Sequence, residues 1–326
     1  MVNLLPVPPI IVEADGLPDL SIIIVSWNVR DLLRACLVSI RDSACSYSVE
    51  VFVVDNASSD GSPEMVAREF PWVRSVRNST NTGFTRGNNQ ALALSRGRYV
   101  LFLNPDTEVK RDALAVMLAY MDAHPRTGAL GPQLRYGDGS LQSSRRRFPT
   151  FGTALFESTP LAWHWQANPW AARYHMADTP DEQTQQVDWG VGAALLVRRS
   201  VVEQIGGFDE GYFMYSEELD WCRRASLADW KTVYLPAALV IHYEGKSSEQ
   251  AVAARHIRFQ TSKLRYFRKY HGPAAAALLR LFLLAGFAGE WLIEGAKWLI
   301  GSKRSLRQQR LAAYSQLLRT GLRSAR

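Results

Sequence analysis

Three carboxylates, Glu217, Glu218 and Asp220, crowd beside four aromatic residues in Tyr212-Phe-Met-Tyr-Ser-Glu-Glu-Leu-Asp-Trp-Cys-Arg-Arg224. Like charges and apolar rings raise a carboxyl pKa, which suits a general base. At a helix N-terminus the same acids would only complement the dipole. On a helix, Arg223 stands three residues from Asp220 and is expected to pair with it, leaving Glu217 and Glu218 for chemistry. Asp106, in Asn104-Pro-Asp106, follows an apolar run and is held by a stiffening proline. It is a candidate ligand for a hard divalent cation, or else part of a cap on a following helix. His242 closes a second apolar run, where an imidazole serves either as a metal ligand or as a satisfied structural group. The loop after it, with Gly245 and Ser247, is suited to approaching a phosphate.

Two further polar clusters suit a nucleotide. Asp55-Asn-Ala-Ser-Ser-Asp60 is either a plain turn or a carboxylate placed to accept a hydrogen bond from a pyrimidine N–H. Asn81-Thr-Gly-Phe-Thr-Arg-Gly-Asn-Asn89 reads as a nucleotide-contacting loop or as a turn with a helix cap.

Short β-branched runs alternate with helical periodicity around these clusters. Strands are expected at Leu20–Val25, Val51–Val54, Val73–Val76 and Tyr99–Leu103, with helices at 29–42, 63–70, 85–95 and 111–123. That alternation predicts a mostly parallel sheet with helices on both faces, and such sheets bind ligands beyond the carboxyl ends of their strands. Both Asp55 and Asn104–Asp106 fall at such ends. Residues 132–187, rich in Pro, Gly, Trp and Arg, read as a long irregular excursion, after which Gly190–Val197 resumes strand character.

The order of these segments is more telling than any one of them. Ser21-Ile-Ile-Ile-Val-Ser-Trp-Asn28, Val-Val-Asp-Asn-Ala-Ser-Ser-Asp-Gly61, Asn81-Thr-Gly-Phe84, Asn104-Pro-Asp106, Gly207-Phe-Asp-Glu210, Tyr-Ser-Glu-Glu-Leu-Asp220 and His242 together resemble family-2 glycosyltransferases over residues 20–250. The resemblance implies a GT-A type fold and an inverting, metal-dependent transfer of a sugar from a nucleotide-sugar donor. It implies Glu218 as catalytic base with Glu217 and Asp220 in support. Asp106 and His242 become ligands of Mg or Mn, with Asn104 standing where the family's metal motif has its first acid. Ser26, Asp55, Asn81, Gly83, Asn88 and Asn104 become donor contacts. Asn-Pro-Asp with Gln142-Ser-Ser-Arg-Arg-Arg-Phe-Pro149 resembles rhamnosyltransferases that use dTDP-rhamnose, in cell-envelope polysaccharide synthesis. Galactofuranosyl or N-acetylhexosaminyl transfer, or a catalytically silent donor-binding subunit, are the alternatives.

Composition sets the remaining bounds. With 326 residues, 47% hydrophobic and 21% charged, the chain is of ordinary globular type. Cys36, Cys45 and Cys222 form no disulfide or zinc pattern and suggest buried thiols in a reducing compartment. Residues 1–19 read as an extended arm without the pattern of a secretory leader. A domain over 20–250 follows, with a nucleotide-sugar half at about 20–131 and an acceptor half at about 132–250. Residues 251–326 form a basic helical tail: 15 Lys and Arg against Glu290 and Glu294, about +13, where residues 1–250 carry about −6. Its tryptophans cluster in an apolar helix instead of interleaving with the basic residues, which argues for a membrane surface over nucleic acid. An otherwise cytoplasmic enzyme, peripheral on the inner face of the cell membrane, is expected, and an oligomer is compatible with the sequence. Composition leaves open whether residues 273–300 lie on the bilayer or span it.

Overall fold

A computed structural model describes residues 17–43, 46–157, 159, 165, 168–243, 252–301 and 303–323. Most of the N-terminal arm, Cys45 and the loop holding Gly245 and Ser247 lie outside the described residues. The chain divides into two compact units. One holds residues up to Arg147 with Thr179–Phe213 and Glu217–Ser247; the other gathers Phe148–Asp178, Met214–Ser216 and Ser248–Arg326.

The first unit is built on a sheet whose N-terminal half is wholly parallel. Strands β1 (Leu20–Ser26) and β2 (Val49–Asp55) are buried along their whole length, as a strand covered on both faces must be. With β3 (Arg74–Arg77) and β4 (Tyr99–Leu103) they lie in the order β3-β2-β1-β4. Helix α1 (Arg30–Arg41) buries Leu33, Cys36, Leu37 and Ile40, a stripe at helical spacing. That stripe packs with α2 (Ser62–Glu69) against one sheet face, whose side chains include Ile22, Ile24, Val51 and Val53. On the other face lies α3 (Phe84–Leu94), beside β1 and β2. It starts from Gly83 at φ 91°, where a Cβ would meet the Phe213 carbonyl oxygen at 2.7 Å. Both the left-handed backbone and that close approach require glycine.

After β4 come β5 (Thr107–Val109), α4 (Ala113–Ala123) and β6 (Thr127–Arg135). Asn104–Asp106 therefore leads into a strand, and the cap of α4 is Asp112, so the cap reading of Asp106 falls away. The expected irregular excursion contains regular pieces: the end of β6, β7 (Leu141–Gln142), β8 (Arg145–Arg146), and, in the second unit, α5 (Phe151–Phe156) and α6 (Pro169–Tyr174). The single strand expected at 190–197 is two, β10 (Trp189–Gly190) and β11 (Ala194–Arg198), following β9 (Gln185–Val187). β10 pairs with β8, whereas β11 runs antiparallel between β4 and β6. Helices α7 (Arg199–Ile205) and α8 (Glu217–Leu227) precede β12 (Lys231–His242), which pairs parallel with β6 and antiparallel with β5 and β9.

In the second unit α9 (Val252–Leu299) breaks at Gly272, whose φ of 88° interrupts the helix ahead of Pro273. Helix α10 (Arg304–Thr320) then folds back along the C-terminal half of α9.

Candidate active site

Strand register gathers the candidate residues. Ser26 pairs with Asp55, and Ile24 pairs with Leu103, so the carboxyl ends of β1, β2 and β4 are level. The Asn104 N–H donates to Ala193 O at 2.9 Å, which draws the segment before β11 to the same end. His242 arrives there by pairing with Thr107, reinforced by the Tyr243 N–H donating to Asp106 O at 2.9 Å.

The polar groups at these strand ends hold unused hydrogen-bonding capacity. Asp55 Oδ2 accepts from the Ser58 N–H at 3.0 Å, whereas its Oδ1 is buried with no partner among the described residues. Ser26 Oγ and Asn88 Oδ1 are buried and unmatched in the same way. Such groups are rare in native proteins, and a water or a ligand supplies the partner. Asn81 has a different use: its Oδ1 accepts from the Gly83 N–H at 3.0 Å, shaping the turn into α3. Asn56, to which the sequence assigned no role, ties the turn down, donating to Gly83 O at 3.0 Å and accepting from Asn78 and Thr82.

Asp106 and His242 are both buried, with His242 Nε2 3.5 Å from Asp106 Oδ1. Gln142 Oε1 lies 3.0 Å from His242 Nδ1. An amide oxygen can only accept, so Nδ1 donates in that contact, and Nε2 faces Asp106 and Asn104. A carboxylate and an imidazole nitrogen are ligands of the kind a divalent cation takes. Among the described residues no group of three or more His, Cys, Asp or Glu side chains is arranged around a metal.

The acidic cluster begins α8. Tyr215 and Ser216, at φ 72° and 65°, are left-handed although neither is glycine. Each costs about 1–3 kcal/mol, of the kind tolerated where a site demands it. Glu217 is buried with one unmatched oxygen, and burial together with the neighbouring Glu218 charge pushes its carboxyl well above the ordinary range. Burial also raises Glu218, opposed by the backbone around its own position and at Gly192 and Leu219, and by the Arg146 charge. Glu218 packs directly over Gly192, where a Cβ would lie 3.3 Å from its carboxyl carbon. Asp220 is bound to Arg224, the fourth residue on, at 2.9 Å, not to Arg223 as expected. A four-residue step aligns the pair along the helix, and Arg224 also reaches the Ile205 and Gly207 carbonyls.

Gln142, Gly192 and Arg146 were not legible as parts of the site, because their partners are far away in the chain. Within the basic run Arg145–Arg147, Arg145 is buried and tied to Thr179, Pro180 and Asp181. Cys36 and Cys222 are free and buried, and burial pushes both thiols up to about 12.

Residues 21–206 match the sequence model of glycosyl transferase family 2. The chain belongs to that family. Its catalytic unit has the GT-A type fold, with the expected parallel strands and flanking helices. The glycosyltransferase is 32% identical over 252 residues to the N-acetylglucosaminyl-diphospho-decaprenol L-rhamnosyltransferase of Mycobacterium tuberculosis, spanning 73% of this chain and 81% of that one. It is 35% identical over 169 residues to the rhamnosyltransferase WbbL of Escherichia coli, 49% of this chain and 61% of the relative. Among solved structures, the mannosyltransferase PcManGT of Pyrobaculum calidifontis, in complex with GDP-Man and Mn2+, matches with a TM-score of 0.56 at 18% identity. That match covers 94% of this chain and 88% of the other, and shows the shared fold.

The two adjacent glutamates carry a pH signature. A carboxyl raised by folding stabilises the native state below its ordinary value near 4.5 and loses that contribution as pH rises through the folded value. Glu217→Gln, which cannot titrate, should therefore melt a few degrees above the wild type at pH 8. The gap should narrow steadily as pH falls toward 4.5 in scanning calorimetry. A gap constant with pH would show that Glu217 is not the raised group.

Proposed function

We propose that this glycosyltransferase moves L-rhamnose from dTDP-rhamnose to a lipid-linked acceptor in cell-envelope glycan synthesis, with inversion at the anomeric carbon. The observation that carries the reading is the meeting of three parts at one sheet end. These are a buried, unmatched Asp55 oxygen, the Asp106–His242 pair, and Glu218 reached through Ala193 and Gly192. The transferred sugar is the one named for both rhamnosyltransferase relatives, and a lipid-linked acceptor is named for the first of them.

Asp55 Oδ1 accepts the pyrimidine ring N–H, while Ser26 and Asn88 supply further polar contacts to the nucleotide. Asp106 and His242, with Asn104 beside them, are the residues that would hold Mg2+ or Mn2+. When bound, the cation neutralises the charge that develops on the leaving group. Glu218 takes the proton from the acceptor hydroxyl as its oxygen bonds to the anomeric carbon. The carbon–oxygen bond to the diphosphate breaks on the opposite face, so dTDP leaves and the anomeric configuration inverts. Glu217, buried behind Glu218, holds its proton and keeps a second negative charge from accumulating. Gln142 fixes the His242 tautomer that turns Nε2 toward the cation.

Donor choice is read by thermal shift, since a ligand that binds only the folded chain raises its melting temperature. dTDP-rhamnose with manganese is expected to raise it most, and chelator to remove the effect. A larger shift with a galactofuranose or N-acetylhexosamine donor would reassign the sugar. The basic C-terminal region holds the enzyme to the inner face of the cell membrane.

A further inference from the structure

The C-terminal half of α9 has two apolar faces, and only one is covered. Ala276, Leu279, Leu283 and Phe287 are buried, and Glu294 on the same side is buried with Arg307 and Arg310 of α10. On the opposite side Leu278, Leu281, Ala285, Leu292, Ala296 and Leu299 fall within about 60° of arc at 3.6 residues per turn. All six are exposed, Leu281 by 66% and Leu299 by 72%, and no charge interrupts them. An uncovered stripe of this length marks an interaction surface.

We infer that this stripe lies in the headgroup boundary of an anionic bilayer, and that α9 and α10 rest there as a monotopic hairpin without spanning it. This rests on the membrane reading above and adds its mode. By length and composition Ala254–Leu299 can cross a membrane, with a mean hydropathy of 1.7 in its most apolar window. Its partner helix cannot. Phe287 of α9 packs on Tyr314 of α10, with ring centres 6.1 Å apart. Trp291 Nε1 donates to Ser315 Oγ at 2.9 Å, and Arg280 donates to Gly321 O at 2.6 Å. With the Glu294–Arg307 pair these contacts run from the first turn of α10 to just past its end, so a spanning α9 would carry Arg304, Arg307, Arg310 and Arg319 into hydrocarbon or forfeit the packing. Lying flat keeps both. At the hairpin tip exposed Trp298, Leu299 and Ile300 adjoin Lys297, Lys303 and Arg304, an apolar wedge ringed by cations suited to phosphate headgroups. A second copy of the chain is the poorer occupant, because two tails of about +13 would face each other.

The test uses the full chain and the triple variant Leu281→Gln, Leu292→Gln, Leu299→Gln, which leaves charge unchanged and alters only exposed positions. Flotation with phosphatidylglycerol–phosphatidylcholine vesicles should be roughly tenfold or more weaker for the variant, with an unchanged melting temperature and monomer elution. Equal flotation would overturn the assignment, as would a wild-type dimer that the variant dissociates. Gln316→Cys, on the exposed side of α10, separates lying from spanning. In sealed inside-out membranes it should react with an impermeant maleimide above the wild-type background; protection would show that α9 crosses. Sugar transfer to a water-soluble acceptor, measured alongside, reports on the enzymatic reading alone.

Discussion

Glu218→Gln is expected to lower turnover by roughly 10²-fold or more while donor affinity stays within a few-fold of the wild type. The amide keeps the shape of the side chain over Gly192 but cannot accept the proton of the acceptor hydroxyl. The proposed donor contacts at Asp55, Ser26 and Asn88 lie on other elements, so binding is expected to survive. Because burial raises the Glu218 carboxyl, the ionised base is present only above that raised value. The acid limb of kcat/KM should therefore fall at a higher pH than an ordinary glutamate gives, and should disappear in the variant. Single-turnover transfer measured against pH reads both effects. Near-normal turnover would move the role to Glu217, since Asp220 is occupied by Arg224.

Asp106→Ala should weaken metal-dependent binding of the donor by roughly 10²-fold or more, and chelator should do the same to the wild type. Asp106 is the only carboxylate of the proposed cation pair, and with it gone His242 is a lone neutral ligand. Titration calorimetry with dTDP and manganese measures this without any turnover. Gln142→Leu should produce a smaller loss, on the order of tenfold, because it frees the His242 ring without removing it. Full activity in chelator would remove the cation from the account and leave side-chain cations to neutralise the diphosphate.

What was legible in the sequence was what is local. β-Branched runs and three-to-four spacing located β1, β2, β4, α1 and α3 within a few residues, because burial on both sheet faces leaves an unmistakable apolar run. Asp55 and Asp106 were visible as polar residues ending such runs. What depends on contacts across the chain was not legible. Gln142 meets His242 across a hundred residues, and Gly192 meets Glu218 only because β11 reverses beside β4. Tyr215 and Ser216 carry no sign of their left-handed backbone, which glycine would have announced. The break into β10 and β11 was hidden by a continuous apolar run from Val191 to Val197, and only pairing with different partners separates the two strands. In the tail, composition showed an apolar helix, but only the fold of α10 against it separates the covered face from the open one.

Inverting transfer from a nucleotide sugar under the control of Glu218 is read from the anomeric configuration of the product. Purified full-length chain is incubated with dTDP-β-L-rhamnose, manganese and an N-acetylglucosaminyl-diphospho-lipid acceptor, and the product's anomeric proton and carbon are read by NMR. An α-linked rhamnoside is expected from the wild type and almost none from Glu218→Gln over the same interval. A β-linked product, or an undiminished yield from the variant, would contradict it.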